Sequence, residues 1–109
     1  MKMLYIYRAI EMSERHIEIN GQDIFCEKDF HKQIAEKLDF GPYYGHNLNA
    51  LWDMMSSGAG NGVVLHWTHS HLSETRLGVA YKYIADTLAE ARDNDIRLGL
   101  PEKFDFRLE

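Results

Sequence analysis

Apolar and polar residues change period several times along this chain, and each change predicts a different element. His16–Asn20, read HIEIN, alternates apolar and polar positions before the dipeptide Asn20-Gly21, the pattern of a strand closed by a turn. From Glu27 to Leu38 the apolar positions are Phe30, Ile34 and Leu38, spaced to share one face of a helix. Phe40–Tyr44 reads as a loop carrying Gly41 and Pro42. Leu48, Leu51, Trp52 and Met55 then fall at i, i+3, i+4 and i+7 and predict a second helix over about 47–56, ended by the run SSGAGNG. Val63–Trp67 is a short continuous apolar run, the mark of a buried strand. A longer helix is expected over about Gly78–Asp93, with Leu77, Tyr81, Ile84, Leu88 and Ala91 as its core stripe. IRLGL, residues 96–100, reads as a closing strand stopped by Pro101.

Strands alternating with helices imply an α/β fold, a small parallel β-sheet packed with helices. At 109 residues the chain is long enough for one domain with its own core, and no repeat or Pro/Ser-rich linker divides it. The expected organisation is an N-terminal addition over 1–14, where MLYIYRAI could add a strand, a domain over 15–100, and a tail over 101–109.

Charge narrows the choice of partner. The formal net charge of −5 disfavours direct nucleic-acid binding and an anionic membrane surface, and suits a basic protein. A single cysteine, Cys26, cannot close an intramolecular disulfide and fits a reducing compartment. Arg8 and Glu11 interrupt the opening MKMLYIYRAIEM too early for a signal peptide, and no apolar run could span a bilayer, so a cytoplasmic protein is expected.

The stretch from Phe40 to Met55, FGPYYGHNLNALWDMM, asks for more than burial. Leu51 and Met55 should face the core, while Asn49 and Asp53, four apart, share another face. Asn47 suits the N-cap, and Gly45 allows the backbone to approach a neighbour closely. A capped amphipathic helix with a wet polar face would explain these features taken alone.

Their order points further. ING followed by a helix, then YYG-x-NL-x-ALWD, then a hydrophobic strand ending in tryptophan, resembles barstar, the intracellular inhibitor of barnase-type ribonucleases, from about Ile19 to Leu100. The resemblance implies a small parallel sheet packed by helices, and a function of plugging a ribonuclease active site with the second helix and the loop before it. It implies contacts from Tyr43 and Gly45 in the loop and from Asn47 and Leu48 at the helix start. Asn49, Trp52 and Asp53 would lie on or beside the exposed face, with Thr87 and Glu90 of the last helix flanking it. A dominant aspartate and electrostatic steering are known properties of the barnase–barstar pair, and are implied here by the same resemblance. The logic is chemical: a ribonuclease holds phosphates with arginine and lysine, and carboxylates can stand in for phosphate oxygens in that basic cleft. Asp86, Glu90 and Asp93, opposite the core stripe of their helix, could extend the negative field or simply form a solvated face.

The chain departs from the family pattern in two places. Asn49 stands where family members often carry a second acid, and His46 where barstar is acidic, which bears on the target more than on the mode of action. Two other classes compete with an inhibitor. A binding module for a non-ribonuclease protein could use the same helix. His66, His69 and His71 in HWTHSH could instead meet a zinc or nickel ion, although that run holds no cysteine or carboxylate to complete a shell. No nucleophile elbow, phosphate-cradling loop or paired catalytic carboxylates occur, so no catalytic residue, resident metal or cofactor is expected.

Overall fold

The computed structural model describes residues 14–109. The extra strand expected within 1–14 lies outside the described residues. The elements are β1 (Arg15–Asn20), a 3-10 turn at Gly21–Asp23, α1 (Glu27–Leu38), α2 (Leu48–Ser56), β2 (Val63–Thr68), α3 (Ser70–Leu77), α4 (Val79–Arg97) and β3 (Asp105–Leu108). The strands form one parallel sheet in the order β1-β2-β3, the α/β architecture expected from the alternating elements.

Register decides which residues meet the helices. Ile17 and Ile19 of β1 pair with Leu65 and Trp67 of β2, and Phe106 of β3 pairs with Leu65. These residues share one face because side chains alternate along a strand. That face is the core, closed by Phe30, Ile34 and Leu38 of α1, Leu51 and Met55 of α2, and Ile84, Leu88 and Ala91 of α4. The periodic positions read from the sequence are thus the ones that pack. The other face carries His16, Glu18, His66, Thr68 and Arg107, with Val64 buried among them. At the end of β1 the Gln33 amide clamps Asn20, accepting from its N–H at 3.0 Å and donating to its carbonyl at 3.1 Å.

Four sequence expectations need correction. The closing strand is not at 96–100: Ile96 and Arg97 finish α4, and the chain turns through Gly99, whose φ of 65° suits glycine. The helical stripe Ile84, Leu88, Ala91 continues to Asp95, which is buried, so α4 outruns the expected end at Asp93. The third strand lies instead in the segment expected to be a tail, where Phe104, Phe106 and Leu108 alternate with polar residues. Helix α3 was also missing, because its buried positions are Ser70 and Ser73, which leave no apolar stripe to read. Gly78 separates α3 from α4 with φ 57° and ψ −126°, a conformation open to glycine.

Asp95 ties the last strand to the last helix. Its carboxylate accepts the buried Phe104 N–H at 2.8 Å, just before β3 begins. Among the described residues no buried side-chain N or O lacks a partner. Asp95→Ala should therefore cost about 1.5–3 kcal/mol, the value of a hydrogen bond to a charged group, with Asp95→Asn retaining part of it through the amide oxygen. Urea denaturation of the three proteins checks this, and equal stabilities would contradict the role.

Candidate functional site

The loop before α2 is held from below. Helix α1 ends at Asp39 in the left-handed region (φ 53°, ψ 55°), and the Phe40 N–H returns to the Ala35 carbonyl at 3.0 Å, which turns the chain sharply. Phe40 and Tyr44 are buried with ring centroids 4.8 Å apart, whereas Tyr43 between them is 97% exposed. The Tyr44 hydroxyl lies 2.6 Å from Nδ1 of His31, a residue of α1 with no exposed surface, and Nε2 of His31 lies 3.3 Å from Glu27. A carboxylate only accepts, so Nε2 carries the hydrogen and Nδ1 accepts from Tyr44. Burial, opposed by Glu27, lowers the pKa of His31. Burial, with Glu27 adding to it, raises that of Tyr44 well above its ordinary value. Both groups are thereby kept in the neutral forms this hydrogen bond needs.

Local bonds carry the chain from this anchor into α2. Nδ1 of His46 bonds the Tyr44 carbonyl at 2.8 Å, with His46 itself at φ 55°. Asn47 is the N-cap: its side-chain oxygen accepts the Ala50 N–H at 2.8 Å and its amide donates to the Gly45 carbonyl at 3.3 Å. A Cβ on Gly45 would come 3.3 Å from that amide nitrogen, so glycine spares the cap.

On α2, Leu51 and Met55 are buried and Leu48 and Trp52 half-buried, while Asn49 and Asp53 are exposed on one side. Among the described residues neither the Asn49 amide nor the Asp53 carboxylate makes a side-chain hydrogen bond or ion pair; only the Asp53 carbonyl is used, by Ser56 and Ser57. Trp52 lines a cleft of about 290 Å³ with Glu90, Asp93 and Arg97 of α4, so the structure brings Trp52 and Glu90 together. Thr87, one turn before Glu90, is half-buried and donates its hydroxyl to the Tyr83 carbonyl at 2.8 Å. The acidic stripe is partly neutralised, with Lys82 on Asp86 at 2.7 Å and Arg92 on Asp93 at 3.1 Å.

The family model described as "Barstar (barnase inhibitor)" matches residues 14–108. The chain belongs to the barstar family. A Bacillus subtilis (strain 168) protein named "Putative ribonuclease inhibitor YrdF" is 33% identical over 79 residues, 72% of this chain and 87% of that protein. The barstar match runs through β3, beyond the point near Leu100 where the motif resemblance stops.

His66, His69 and His71 do not converge. His66 points from β2 toward His16 and Glu109, His69 precedes α3 at φ 52°, and His71 is exposed on α3. Among the described residues no group of three or more His, Cys, Asp or Glu side chains is arranged to hold a metal ion. None of the described helices is long and apolar enough to cross a membrane.

The sequence reading overlooked His31, although the spacing of His31, Ile34 and Leu38 put it on the buried stripe. Because folding lowers its pKa, the unfolded chain binds a proton more readily. His31 contributes stability above its ordinary value of 6.5, lost as the pH falls through 6.5 toward the lower folded pKa. The melting temperature should fall on acidification from pH 7.5 to 5, and less steeply in His31→Gln. Parallel curves for the two proteins would remove His31 from this dependence.

Proposed function

We propose that this barstar-family protein inhibits a small basic ribonuclease by filling its active-site cleft with α2 and the preceding loop. The observation that carries the reading is Asp53. Its carboxylate is exposed on the outward side of a helix whose inward side is fully packed, and no side chain of the described protein competes for it. Asp53 meets the cations that hold substrate phosphate, and Asn49 adds an uncharged donor and acceptor one turn earlier. Tyr43, Gly45, Asn47 and Leu48 form the loop side of the contact; Trp52 of α2, with Thr87 and Glu90 of α4, forms the other side. The name of the Bacillus relative supports the class of target, and a net charge of −5 supports a basic one. The protein acts by occlusion, without catalysis or cofactor, in the cytoplasm, where it protects a cell from a barnase-like enzyme or a toxin nuclease domain.

The direct test is titration of barnase-like enzymes and nuclease toxin domains with the purified protein while RNA cleavage is followed. Asp53→Ala should weaken inhibition of the responsive enzyme by about 2 kcal/mol or more, as expected at a hot spot. Folding stability should change by less than about 0.5 kcal/mol, since the site is on the surface. Equal inhibition by both proteins would remove Asp53 from the interface.

Asn49 tests the placement of the helix. Asn49→Asp recreates a double-acid face and should tighten binding to an enzyme with a cation opposite this position by on the order of 1–2 kcal/mol, mainly through faster association. Toward a partner matched to the amide the same change should bring no gain, because the new charge is buried unpaired. Unchanged affinity for both kinds of enzyme would put residue 49 outside the contact.

A further inference from the structure

The sheet face turned away from the core carries a row of titratable side chains on none of the elements of the proposed docking surface. His16 on β1 and His66 on β2 are diagonal neighbours, since His16 pairs with Val64 and His66 with Glu18. Their rings stack with centroids 5.1 Å apart, and Nδ1 of His16 lies 2.8 Å from Nε2 of His66. Each outer nitrogen meets a carboxylate: Nδ1 of His66 lies 2.5 Å from Glu109, and Nε2 of His16 lies 3.5 Å from Glu14. A carboxylate only accepts, so Nδ1 of His66 carries its hydrogen and Nε2 of His66 is the acceptor toward His16. Nδ1 of His16 then donates to Nε2 of His66, so the two inner nitrogens share one hydrogen, at the place a bound cation would take.

We propose that this pair binds a divalent transition-metal ion of the zinc type, with Nδ1 of His16 and Nε2 of His66 as ligands. Imidazole nitrogens suit zinc, copper and nickel. A carboxylate on the far nitrogen, as Glu109 and Glu14 stand here, is the usual support of a metal-bound histidine. The surroundings favour a dication: among the described residues Glu14, Glu18, Asp105 and Glu109 stand around the pair with Arg107, while Lys32 and Lys37 lie farther out, in the hollow beside Glu18. Two zinc–nitrogen bonds of about 2.0–2.1 Å at a tetrahedral angle need nitrogens roughly 3.3 Å apart, about 0.5 Å more than now. His16, whose side chain is 53% exposed on an edge strand, can supply that by a small rotation. The hydrogen on Nδ1 of His16 moves by exchange with solvent to Nε2, on the side of Glu14, so that both ligand nitrogens present lone pairs. Water fills the remaining positions, because the site has two protein ligands rather than the three or more of a closed shell.

Titration of the full chain with zinc chloride, followed through the imidazole proton resonances, tests the site. His16 and His66 should respond together and saturate at one ion per chain, while His31, His46, His69 and His71 stay in place. His16→Gln and His66→Gln should each remove the saturable step. Glu109→Gln should weaken it about tenfold or more, and His71→Gln should leave it unchanged. Circular dichroism of each variant separates loss of the site from loss of the fold, and the exposed edge-strand His16→Gln decides the matter if His66→Gln does not fold. No response of either resonance to zinc, or wild-type binding by His16→Gln, overturns the proposal. Inhibition of a ribonuclease is not part of the readout, so the two proposals stand or fall separately.

Discussion

Strand β2 is paired on both edges, and its last core residue, Trp67, is where the helices meet the sheet. The buried indole lies 4.8 Å from the Phe30 ring of α1 and 5.1 Å from the Tyr81 ring of α4, and donates its N–H to Ser73 of α3 at 3.0 Å. Gly21 closes the same corner: a Cβ there would stand 2.3 Å from the His69 carbonyl and 2.7 Å from Ser73 Oγ. An aromatic side chain of this size, buried against three helices, is worth about 3–5 kcal/mol relative to alanine. That is a large share of the roughly 5–15 kcal/mol that keeps a domain folded. The order β1-β2-β3 gives the sheet no other centre, so each helix finds its position relative to this strand.

The proposed docking surface inherits its rigidity from that frame. Helix α2 offers Asn49 and Asp53 to solvent because Leu51 and Met55 hold its opposite side in the core. The loop before it would be free to move were it not for Tyr44, whose ring packs on Phe40 and whose hydroxyl ends on buried His31. Tyr43, in the turn just before Tyr44, is left fully exposed. A surface ordered before binding loses less conformational entropy on association, which is where much of the affinity of a small inhibitor originates.

The charge of the chain is distributed less simply than its total suggests. Asp86 and Asp93 are engaged by Lys82 and Arg92, and Arg97 shares the cleft beside Trp52. Exposed pairs of this kind add little to stability but quench the local field. On the proposed docking surface the unpaired carboxylates are Asp53 and Glu90, which take part in no ion pair among the described residues. On the far side of the sheet, acidic side chains surround two histidines, a separate concentration of charge.

Much of this was legible in the sequence because hydrophobic spacing reports burial directly. Phe30, Ile34 and Leu38, then Leu51 and Met55, then Ile84, Leu88 and Ala91 are core residues at the positions their periods predict, and the Asn47 cap has the predicted bond. The motif YYG-x-NL-x-ALWD located the family for the same reason, since its residue types follow from a loop, a cap and a two-sided helix. What the sequence did not determine rests on polar atoms finding distant partners. Asp95 looks like a surface acid until the Phe104 N–H reaches it, and His31 like an interruption of a stripe until Tyr44 arrives. Helix α3 buries serines, so no apolar period announces it, and β3 becomes a strand because β2 has a free edge to pair with. The meeting of His16 with His66, 50 residues apart, depends wholly on parallel register. Local spacing fixes which side of an element is apolar; only the packed chain decides which polar groups share a buried or crowded place.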